Sequence, residues 1–326
     1  MHRARFAVGW RSFAFGRPIA HEPWILGVAL FGLGVAHAAT GLQRLSVSTA
    51  DQTLTVWSRQ PREARGVVVL VHGRTWSART AFDFDAPNAR DGDRSLLKSF
   101  AAAGFAAYAV DLPGYGATPP PTGGWLAPHI AAGDVDAVVR FAAQRHPGLP
   151  APILLGWSRG SRISALLASH AHEPLSALIL YAYAQDPAAP PVNGPAQGAP
   201  PHITNTAEAA RSDFISPDVT SATMIRVFTD QALRHDPIQA NVCCDADFLD
   251  IHPEAIQVPT LLIQGARDPA IKPAVEGAFF SHLGSADRRW IIVGRGDHAA
   301  HLEDTAPEVV AAMLDFMHAQ LPKAQP

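Results

Sequence analysis

The segment Ile153-Leu154-Leu155-Gly156-Trp157-Ser158-Arg159-Gly160 is the most informative part of this sequence about the fold. Its first residues form a short apolar run typical of a buried strand, and residues 161–171 have the apolar spacing of a helix. The last five residues therefore match a G-x-S-x-G pattern between a strand and a helix, where glycines leave room for a very tight turn. The pattern predicts Ser158 as a nucleophile, and the alternative is a glycine turn without chemistry.

Strand-like and helix-like segments alternate on both sides of this turn. Continuous apolar runs, typical of strands buried on both faces, occupy residues 67–71, 105–110, 153–157, 177–181, 260–264 and 290–293. Helical spacing occurs at residues 93–103, 130–145, 161–171, 274–282 and 307–318. Two opening segments, residues 43–48 and 54–58, alternate polar with apolar residues and are expected to pair antiparallel. This order predicts an α/β fold with a mainly parallel, eight-stranded sheet covered by helices on both faces.

One stretch interrupts the alternation of strands and helices. About seventy residues separate the strand that ends near Tyr183 from the strand that begins near Thr260, which is too long for a simple crossover. The stretch opens with a Pro/Gly/Ala-rich run at residues 186–201 and contains a helical pattern at residues 220–234. We therefore expect an inserted lid at about residues 185–258, whose opening segment is also compatible with a flexible loop.

A serine nucleophile needs a base, and the base needs an acid that orients it. Asp268 follows the carboxyl end of the strand at residues 260–264, and His298 follows the carboxyl end of the last strand. Carboxyl ends of parallel strands meet at one edge of the sheet, so Ser158, Asp268 and His298 are the expected catalytic residues. Asp297 and His301 are the nearest alternatives.

The segment Val71-His72-Gly73-Arg74 leaves an apolar strand at the same expected edge. We expect the backbone N–H groups of Arg74 and Arg159 to bind the oxyanion of the substrate, unless His72-Gly73 is only a tight strand exit. Thr75, Trp76 and Trp157 are candidates for the substrate pocket, although Trp76 is equally compatible with the core. Residues 77–94 include Phe82-Asp83-Phe84-Asp85 and are expected to form a solvated loop that could border the pocket.

From about residue 66 to residue 318 the chain resembles the α/β-hydrolase family. Besides the serine turn and the order Ser158, Asp268, His298, the run from Asp111 to Thr118 resembles the family's D-x-x-G-x-G-x-S loop, with threonine in place of the last serine. The resemblance implies an acyl-enzyme mechanism that needs no metal and no organic cofactor. Because the turn carries serine rather than aspartate, it disfavours haloalkane dehalogenases and epoxide hydrolases.

The resemblance makes a carboxylic ester the expected substrate class. An amidase or aminopeptidase, a carbon–carbon bond hydrolase, a perhydrolase and a lyase that uses the same three residues stay open as alternatives. A binding module without catalysis is a further alternative, because this fold also serves as a binding domain when its site has decayed. The expected partner of this chain is therefore a small-molecule substrate.

Composition excludes several classes of partner. The net charge is −3 and only 17% of the residues are charged, which gives no field that favours nucleic acid or an anionic membrane. The 15 histidines show no H-E-x-x-H or similar spacing, so we predict no metal site. The histidines outside the expected site are interpreted as surface or capping residues: His129, His146, His170, His172, His202, His235 and His252.

The two cysteines, Cys243 and Cys244, are adjacent in the sequence. Neighbouring cysteines cannot form long-range bridges, so they form either a vicinal disulfide or two thiols. The sequence leaves both alternatives open.

The first forty residues resemble an export signal. Four arginines up to Arg17 precede an apolar run at residues 24–35, and Ala36-His37-Ala38 has the form of a signal-peptidase site. We expect residues 1–38 to be a signal peptide cleaved after Ala38, which leaves residues 39–326 as a periplasmic or secreted hydrolase domain. The alternatives are a membrane anchor, a buried helix, or an upstream start site in a cytoplasmic protein; the apolar run is shorter than a membrane span.

Overall fold

The computed structural model of this chain describes residues 41–86, 94–170, 174–216 and 218–322. The expected signal peptide and its cleavage site lie outside the described residues. Among the helices that are described, none is both long enough and apolar enough to cross a membrane.

The strands form one eight-stranded sheet in the order β1-β2-β4-β3-β5-β6-β7-β8. Strand β1 pairs antiparallel with β2, β2 pairs antiparallel with β4, and the remaining neighbours are parallel. This arrangement confirms the fold class and the antiparallel opening pair that the sequence predicts. The strand bounds are β1 (Gln43–Ser48), β2 (Thr53–Arg59), β3 (Gly66–Val71), β4 (Phe105–Asp111), β5 (Ile153–Trp157), β6 (Ala177–Tyr181), β7 (Thr260–Gly265) and β8 (Arg288–Val293).

Helices cover both faces of the sheet, and the two sides of the sheet carry two separate apolar clusters. Two short helices, α1 (Ala78–Phe82) and α5 (Ala207–Arg211), and two 3-10 turns are not predicted by the sequence pattern. The helix bounds are α1 (Ala78–Phe82), α2 (Leu96–Ala102), α3 (Pro128–Arg145), α4 (Arg159–His170), α5 (Ala207–Arg211), α6 (Ala222–His235), α7 (Pro273–His282) and α8 (Ala306–Ala319), with 3-10 turns at Asp245–Asp250 and Pro253–Ala255.

Strand β8 departs from the expected burial. Every residue of β3 through β7 is buried, because helices cover both faces of these strands. Among the described strands, β8 pairs only with β7, and its Ile292 is 50% exposed. The prediction of a strand hidden on both faces is therefore wrong for β8, since an edge strand has one neighbour and less cover.

The interpretation of residues 77–94 as a solvated loop is wrong for residues 77–84. The side chains of Phe82 and Phe84 are almost completely buried. Asp83 is buried as well and forms an ion pair with Arg59 at 2.7 Å and accepts a hydrogen bond from Ser95 at 2.7 Å. Helix α1 and the residues that directly follow it place these aromatic rings in the core, which the polarity of the neighbouring residues could not indicate.

The long insertion, residues 185–258, contains α5, α6 and both 3-10 turns. It is fixed to the strand ends by Asp236, whose carboxylate accepts hydrogen bonds from the N–H groups of Ser77 and Gly116, both at 2.9 Å. Six residues further along the chain, Val242 bridges to Leu126. The insertion thus contacts the loops that follow β3 and β4.

Cys243 and Cys244 form a vicinal disulfide. The Cys243 N–H donates to the carbonyl of Leu126 at 3.1 Å, and the Cys244 N–H donates to the carbonyl of Gly194 at 2.8 Å. Of the two alternatives that the sequence leaves open, the structure therefore contains the bridge.

Candidate active site

Ser158 lies on a turn that only small neighbours permit. It adopts a left-handed backbone conformation with φ 56°, which a non-glycine residue rarely does. A Cβ at Gly156 would lie under 3.0 Å from the Gly160 carbonyl, and a Cβ at Gly160 would lie equally close to the carbonyls of Val71 and His72. The two glycines of the motif are therefore required by the contact between β5, α4 and the β3 exit.

The structure brings together the three residues that the sequence selects. His298 Nε2 lies 2.9 Å from Ser158 Oγ, and His298 Nδ1 lies 2.7 Å from Asp268 Oδ2. The other carboxylate oxygen of Asp268 accepts the N–H of Ala270 at 2.9 Å, which fixes the carboxylate plane. Because Asp268 accepts from Nδ1–H, Nε2 of the neutral ring carries a lone pair directed at the serine.

The surroundings of His298 favour its protonated form. Burial lowers the pKa of this imidazole, but the hydrogen bond and charge of Asp268, together with the charges of Asp213 and Asp297, outweigh burial and raise the pKa. The imidazole is thereby suited to accept a proton and to hold it transiently beside the carboxylate.

The two alternatives to the candidate acid and base have structural contacts instead. His301 is fully buried. Its Nε2 donates a hydrogen bond to the carbonyl of Ala81 at 2.9 Å, and its Nδ1 accepts one from the Tyr181 hydroxyl. Burial lowers the pKa of His301 to about 3, so the ring stays neutral. Asp297 is also buried, and its carboxylate accepts the N–H of Ser216 at 2.8 Å.

Trp157 and Trp76 lie in the core rather than on an open pocket wall. Trp157 is 3% exposed, and its indole N–H donates to the carbonyl of His298 at 3.0 Å, so it holds the loop of the candidate base. Trp76 is 1% exposed and packs edge-on against Phe228. For Trp76 this is the core position that the sequence left as an alternative.

His72 orients the peptide that carries one of the expected oxyanion donors. Its Nδ1 donates to the carbonyl of Gly73 at 2.9 Å, and its Nε2 accepts the N–H of Leu112 at 3.1 Å. Burial lowers the pKa of His72 to about 4, which keeps the ring neutral, and the two hydrogen bonds select this tautomer. The carbonyl of Gly73 and the N–H of Arg74 belong to one planar peptide, so the clamp on the carbonyl also directs the N–H.

The second expected donor, Arg159, begins α4 directly after Ser158. N–H groups in the first turn of a helix have no intrahelical acceptor, and the positive end of the helix dipole adds to their field. A Cβ on Gly73 would lie 3.2 Å from Ser158 Cβ, so the two backbone segments that carry Arg74 and Arg159 meet at the serine.

The side chains of Arg74 and Arg159 are linked through the insertion. The Arg159 guanidinium forms a buried ion pair with Asp245. The other oxygen of Asp245 accepts Asn193 Nδ2 at 2.9 Å, and Asn193 Oδ1 accepts from the Arg74 guanidinium at 3.3 Å. Sequence reasoning missed Asn193 and Asp245, because nothing in their local pattern indicates the contact.

Asp213 is a further carboxylate near the candidate base that the sequence did not reveal. It is half-buried in the insertion and accepts a hydrogen bond from the Trp76 indole. Burial raises the pKa of Asp213 to about 6, although the Trp76 hydrogen bond and the charge of His298 act in the opposite direction. This carboxylate acts electrostatically on His298 without belonging to the hydrogen-bonded chain.

Thr75 borders a groove beside the expected oxyanion donors. The groove has a volume of about 370 Å³ and is lined by Arg74, Thr75 and Gln239 together with residues 203–206 of the insertion. Of the three expected pocket residues, Thr75 is thus the one placed on a groove wall.

The loop after β4 is structural. Asp111 accepts hydrogen bonds from the N–H groups of Ala78 and Ala117, both at 3.0 Å. Thr118, which replaces the serine of the family pattern, donates to the Asp111 carbonyl at 2.8 Å and accepts the Thr55 N–H at 2.8 Å. Both contacts are made by the hydroxyl group, which serine and threonine share, so the threonine preserves them.

Comparisons with known proteins bear on the family and on the fold of the chain. The family model described as serine aminopeptidase, S33, matches residues 62–305. No curated protein sequence matches the chain.

Several solved structures are similar in fold. A thioesterase domain from the curacin biosynthetic pathway shares 15% identity over 86% of this chain and 100% of its own, with a TM-score of 0.58. A serine hydrolase involved in carbazole degradation shares 16% identity over 86% and 100%, with a TM-score of 0.59. An esterase of Pyrococcus furiosus shares 16% identity over 86% and 92%, with a TM-score of 0.55. At these identities the similarity concerns the fold alone.

Proposed function

Because this chain belongs to the serine aminopeptidase S33 family of α/β-hydrolases, we propose that it cleaves carboxylic esters through an acyl-enzyme on Ser158. The observation that carries the proposal is the unbroken hydrogen-bond chain from Ser158 through His298 to Asp268, with distances of 2.9 Å and 2.7 Å. Both distances lie within the range for proton transfer between a nucleophile, its base and an orienting acid.

The proposed acylation step uses Ser158 as the nucleophile and His298 as the base. His298 Nε2 takes the proton of Ser158 Oγ while Oγ attacks the substrate carbonyl carbon and forms a tetrahedral oxyanion. The backbone N–H groups of Arg74 and Arg159 stabilise that oxyanion. The imidazolium of His298 then donates its proton to the departing alkoxide as the carbonyl carbon–oxygen bond breaks, which leaves an ester on Ser158.

Deacylation repeats the steps with water. His298 removes a proton from water as the water oxygen attacks the acyl carbon, and the same N–H groups stabilise the second oxyanion. The intermediate collapses, the bond to Ser158 Oγ breaks, and His298 returns the proton to Oγ. Throughout, Asp268 holds the imidazole tautomer and stabilises its positive charge.

A second candidate function is aminopeptidase activity on amides with a free amino terminus. Asp213 favours it, because this half-buried carboxylate acts on His298 electrostatically and could attract a substrate ammonium group. Esters remain the first proposal, since an alkoxide leaves from the tetrahedral intermediate more readily than an amine does.

We also propose that the insertion, residues 185–258, is the lid that selects the substrate. Support comes from the groove beside Arg74 and Thr75, which is also lined by residues 203–206 of the insertion. The vicinal disulfide in the insertion is consistent with the expected periplasmic or secreted location, where disulfides persist.

The test is release of p-nitrophenol from acyl esters of increasing chain length by the mature protein that begins at Ala39. The variant Ser158→Ala should lose the pre-steady-state burst and almost all turnover. Ser281→Ala, which removes an exposed hydroxyl on α7, serves as the matched control and should leave both unchanged. Equal turnover by wild type and Ser158→Ala would exclude the proposed nucleophile.

A parallel assay with aminoacyl p-nitroanilides distinguishes the two candidate functions. Faster cleavage of the anilides than of the esters would favour the aminopeptidase. Loss of anilide cleavage on acetylation of the substrate amino group would strengthen that conclusion. Faster cleavage of the esters would favour the first proposal.

A further inference from the structure

Four side chains with metal-binding atoms converge on the surface far from Ser158. His170 is the last residue of α4, Asp250 ends the 3-10 turn Asp245–Asp250, and His252 follows in the next loop. One ligand atom from each of these three residues lies within 4.8 Å of the other two. His129, in the first turn of α3, places its Nε2 3.7 Å from Asp250 Oδ2.

From this cluster we propose that His170, Asp250 and His252 form a zinc site, with His129 within reach as a fourth ligand. Two imidazoles and a carboxylate are a common ligand set for Zn²⁺, which is usually bound tetrahedrally. At zinc–ligand bond lengths of about 2.0–2.1 Å, neighbouring ligand atoms of a tetrahedron lie roughly 3.3 Å apart. His170 Nε2 and His252 Nε2 lie 3.2 Å and 3.3 Å from the two oxygens of Asp250.

The outer contacts of the cluster also fit a metal site. Glu254 Oε1 lies 3.6 Å from Nδ1 of His252, the nitrogen that faces away from Asp250. Carboxylates in this position orient metal-bound histidines and raise the basicity of the ligating nitrogen. The His252 N–H donates to Ser169 Oγ at 3.1 Å, which fixes the loop against the end of α4.

The cluster is accessible to an ion. The side chains of His129, His170, Asp250 and His252 are each about half exposed. His129, His170 and Asp250 line a cleft of about 270 Å³ between α3 and α4. His170 Nε2 also lies 2.9 Å from the Asp250 carbonyl, so Zn²⁺ would compete with that hydrogen bond for the nitrogen.

The position of the site indicates a structural role. Helix α4 begins at Arg159 and ends at His170, so its 12 residues separate the site from Ser158 by about 18 Å. His129 and His170 belong to helices that cover the sheet, whereas Asp250, His252 and Glu254 belong to the end of the insertion. A bound Zn²⁺ would therefore tie the insertion to α4, the helix that carries the oxyanion donor. This proposal departs from the absence of a metal site that the sequence predicts.

The test is titration of tag-free protein with Zn²⁺ alone, followed by calorimetry and by thermal melting. Wild type should bind one ion and melt at a higher temperature with Zn²⁺. The variants His170→Ala and His252→Ala should each bind at least tenfold more weakly, and Glu254→Gln about tenfold more weakly. His282→Ala, which removes an exposed histidine at the end of α7, should bind as wild type does.

Two results would overturn the proposal. One is a wild type that binds no Zn²⁺ at micromolar concentrations, and the other is unchanged binding by the double variant His170→Ala/His252→Ala. A cooperative thermal melt of each variant in the presence of a chelator confirms that it is folded, whether or not the protein hydrolyses esters. Failure of the zinc proposal is thus distinguishable from failure of the proposed function.

Discussion

Arg159 and Asp245 form an ion pair in which both side chains are almost fully buried, at 3% and 2% exposure. Arg159 directly follows Ser158, whereas Asp245 belongs to the insertion. The residue proposed to stabilise the oxyanion with its backbone is therefore held by its side chain to the segment proposed as the lid.

Removal of the negative charge from this pair should destabilise the protein. Asp245→Asn leaves the Arg159 guanidinium buried without an anion, a change that typically costs about 3–5 kcal/mol. We expect a large decrease in the free energy of unfolding in urea and a lower kcat, because the Arg159 N–H loses its support. Asp230→Asn, at an exposed position of α6, should change neither.

The double variant Arg159→Met/Asp245→Leu separates the charge effect from packing, because apolar replacement of both partners is often nearly neutral. It should recover most of the stability that Asp245→Asn loses. A double variant as unstable as the single one would show that the contact matters through shape and not through charge.

His72 should control turnover through the oxyanion peptide. His72→Ala removes the donor to the Gly73 carbonyl, so the Arg74 N–H loses its orientation, and we expect kcat to fall by up to about 10²-fold with a smaller change in KM. His72→Asn can still place an N–H near Nδ1 and should recover part of kcat. Steady-state kinetics of both variants check this; equal kcat values for the two would argue against the positioning role.

The charge of Asp213 should set the acid limb of the pH profile. The negative charges of Asp268, Asp213 and Asp297 all raise the pKa of His298, and the base must be neutral to accept the serine proton. Asp213→Asn removes one of these charges and keeps an oxygen for the Trp76 indole. The pKa of His298 should fall, so the acid limb of kcat/KM should move to lower pH.

The pH profile of Asp218→Asn is the control, because Asp218 is an exposed carboxylate of the same insertion that pairs with Arg267. It should match wild type. A shift to higher pH in Asp213→Asn, or none, would contradict the assigned electrostatic effect.

Glu276 should make the stability depend on pH. Burial first, and the charge of Asp268 second, raise the pKa of its carboxyl from 4.5 to about 8. Between these values the unfolded state loses the proton that the folded state keeps, so the stability contributed by this group falls as the pH rises through that window. Glu276→Gln cannot titrate, so its melting temperature should fall less than that of wild type between pH 5 and pH 8.5.

Glu308→Gln, at an exposed acid in the first turn of α8, is the matched control and should follow wild type at both pH values. If the melting temperatures of Glu276→Gln and wild type fall by the same amount between pH 5 and pH 8.5, the carboxyl of Glu276 does not remain protonated in the folded protein.

The sequence predicted the parts of the fold that local physics determines. Both glycines of the Ser158 turn have a steric reason, and continuous apolar runs located the strands that place Asp268 and His298. Burial that depends on distant partners was not predictable. Ile292 is exposed because β8 has one neighbouring strand in the described sheet. Phe82 and Phe84 are buried although polar residues lie next to them in the sequence. The same holds for Asp245, Asp213 and the His170 cluster, whose partners lie far away in the chain.

The hydrogen-bond chain from Arg159 through Asp245 and Asn193 to Arg74 also has a consequence for protein engineering and for divergence among relatives. If the insertion selects the substrate, as proposed, an insertion taken from another hydrolase would bring its own specificity, but it would also leave two arginines of the host without their acceptors. Such chimaeras should work only when these arginines are exchanged together with the transplanted segment. Under that proposal, specificity in this scaffold would be inherited as a linked set of residues and not as a detachable module.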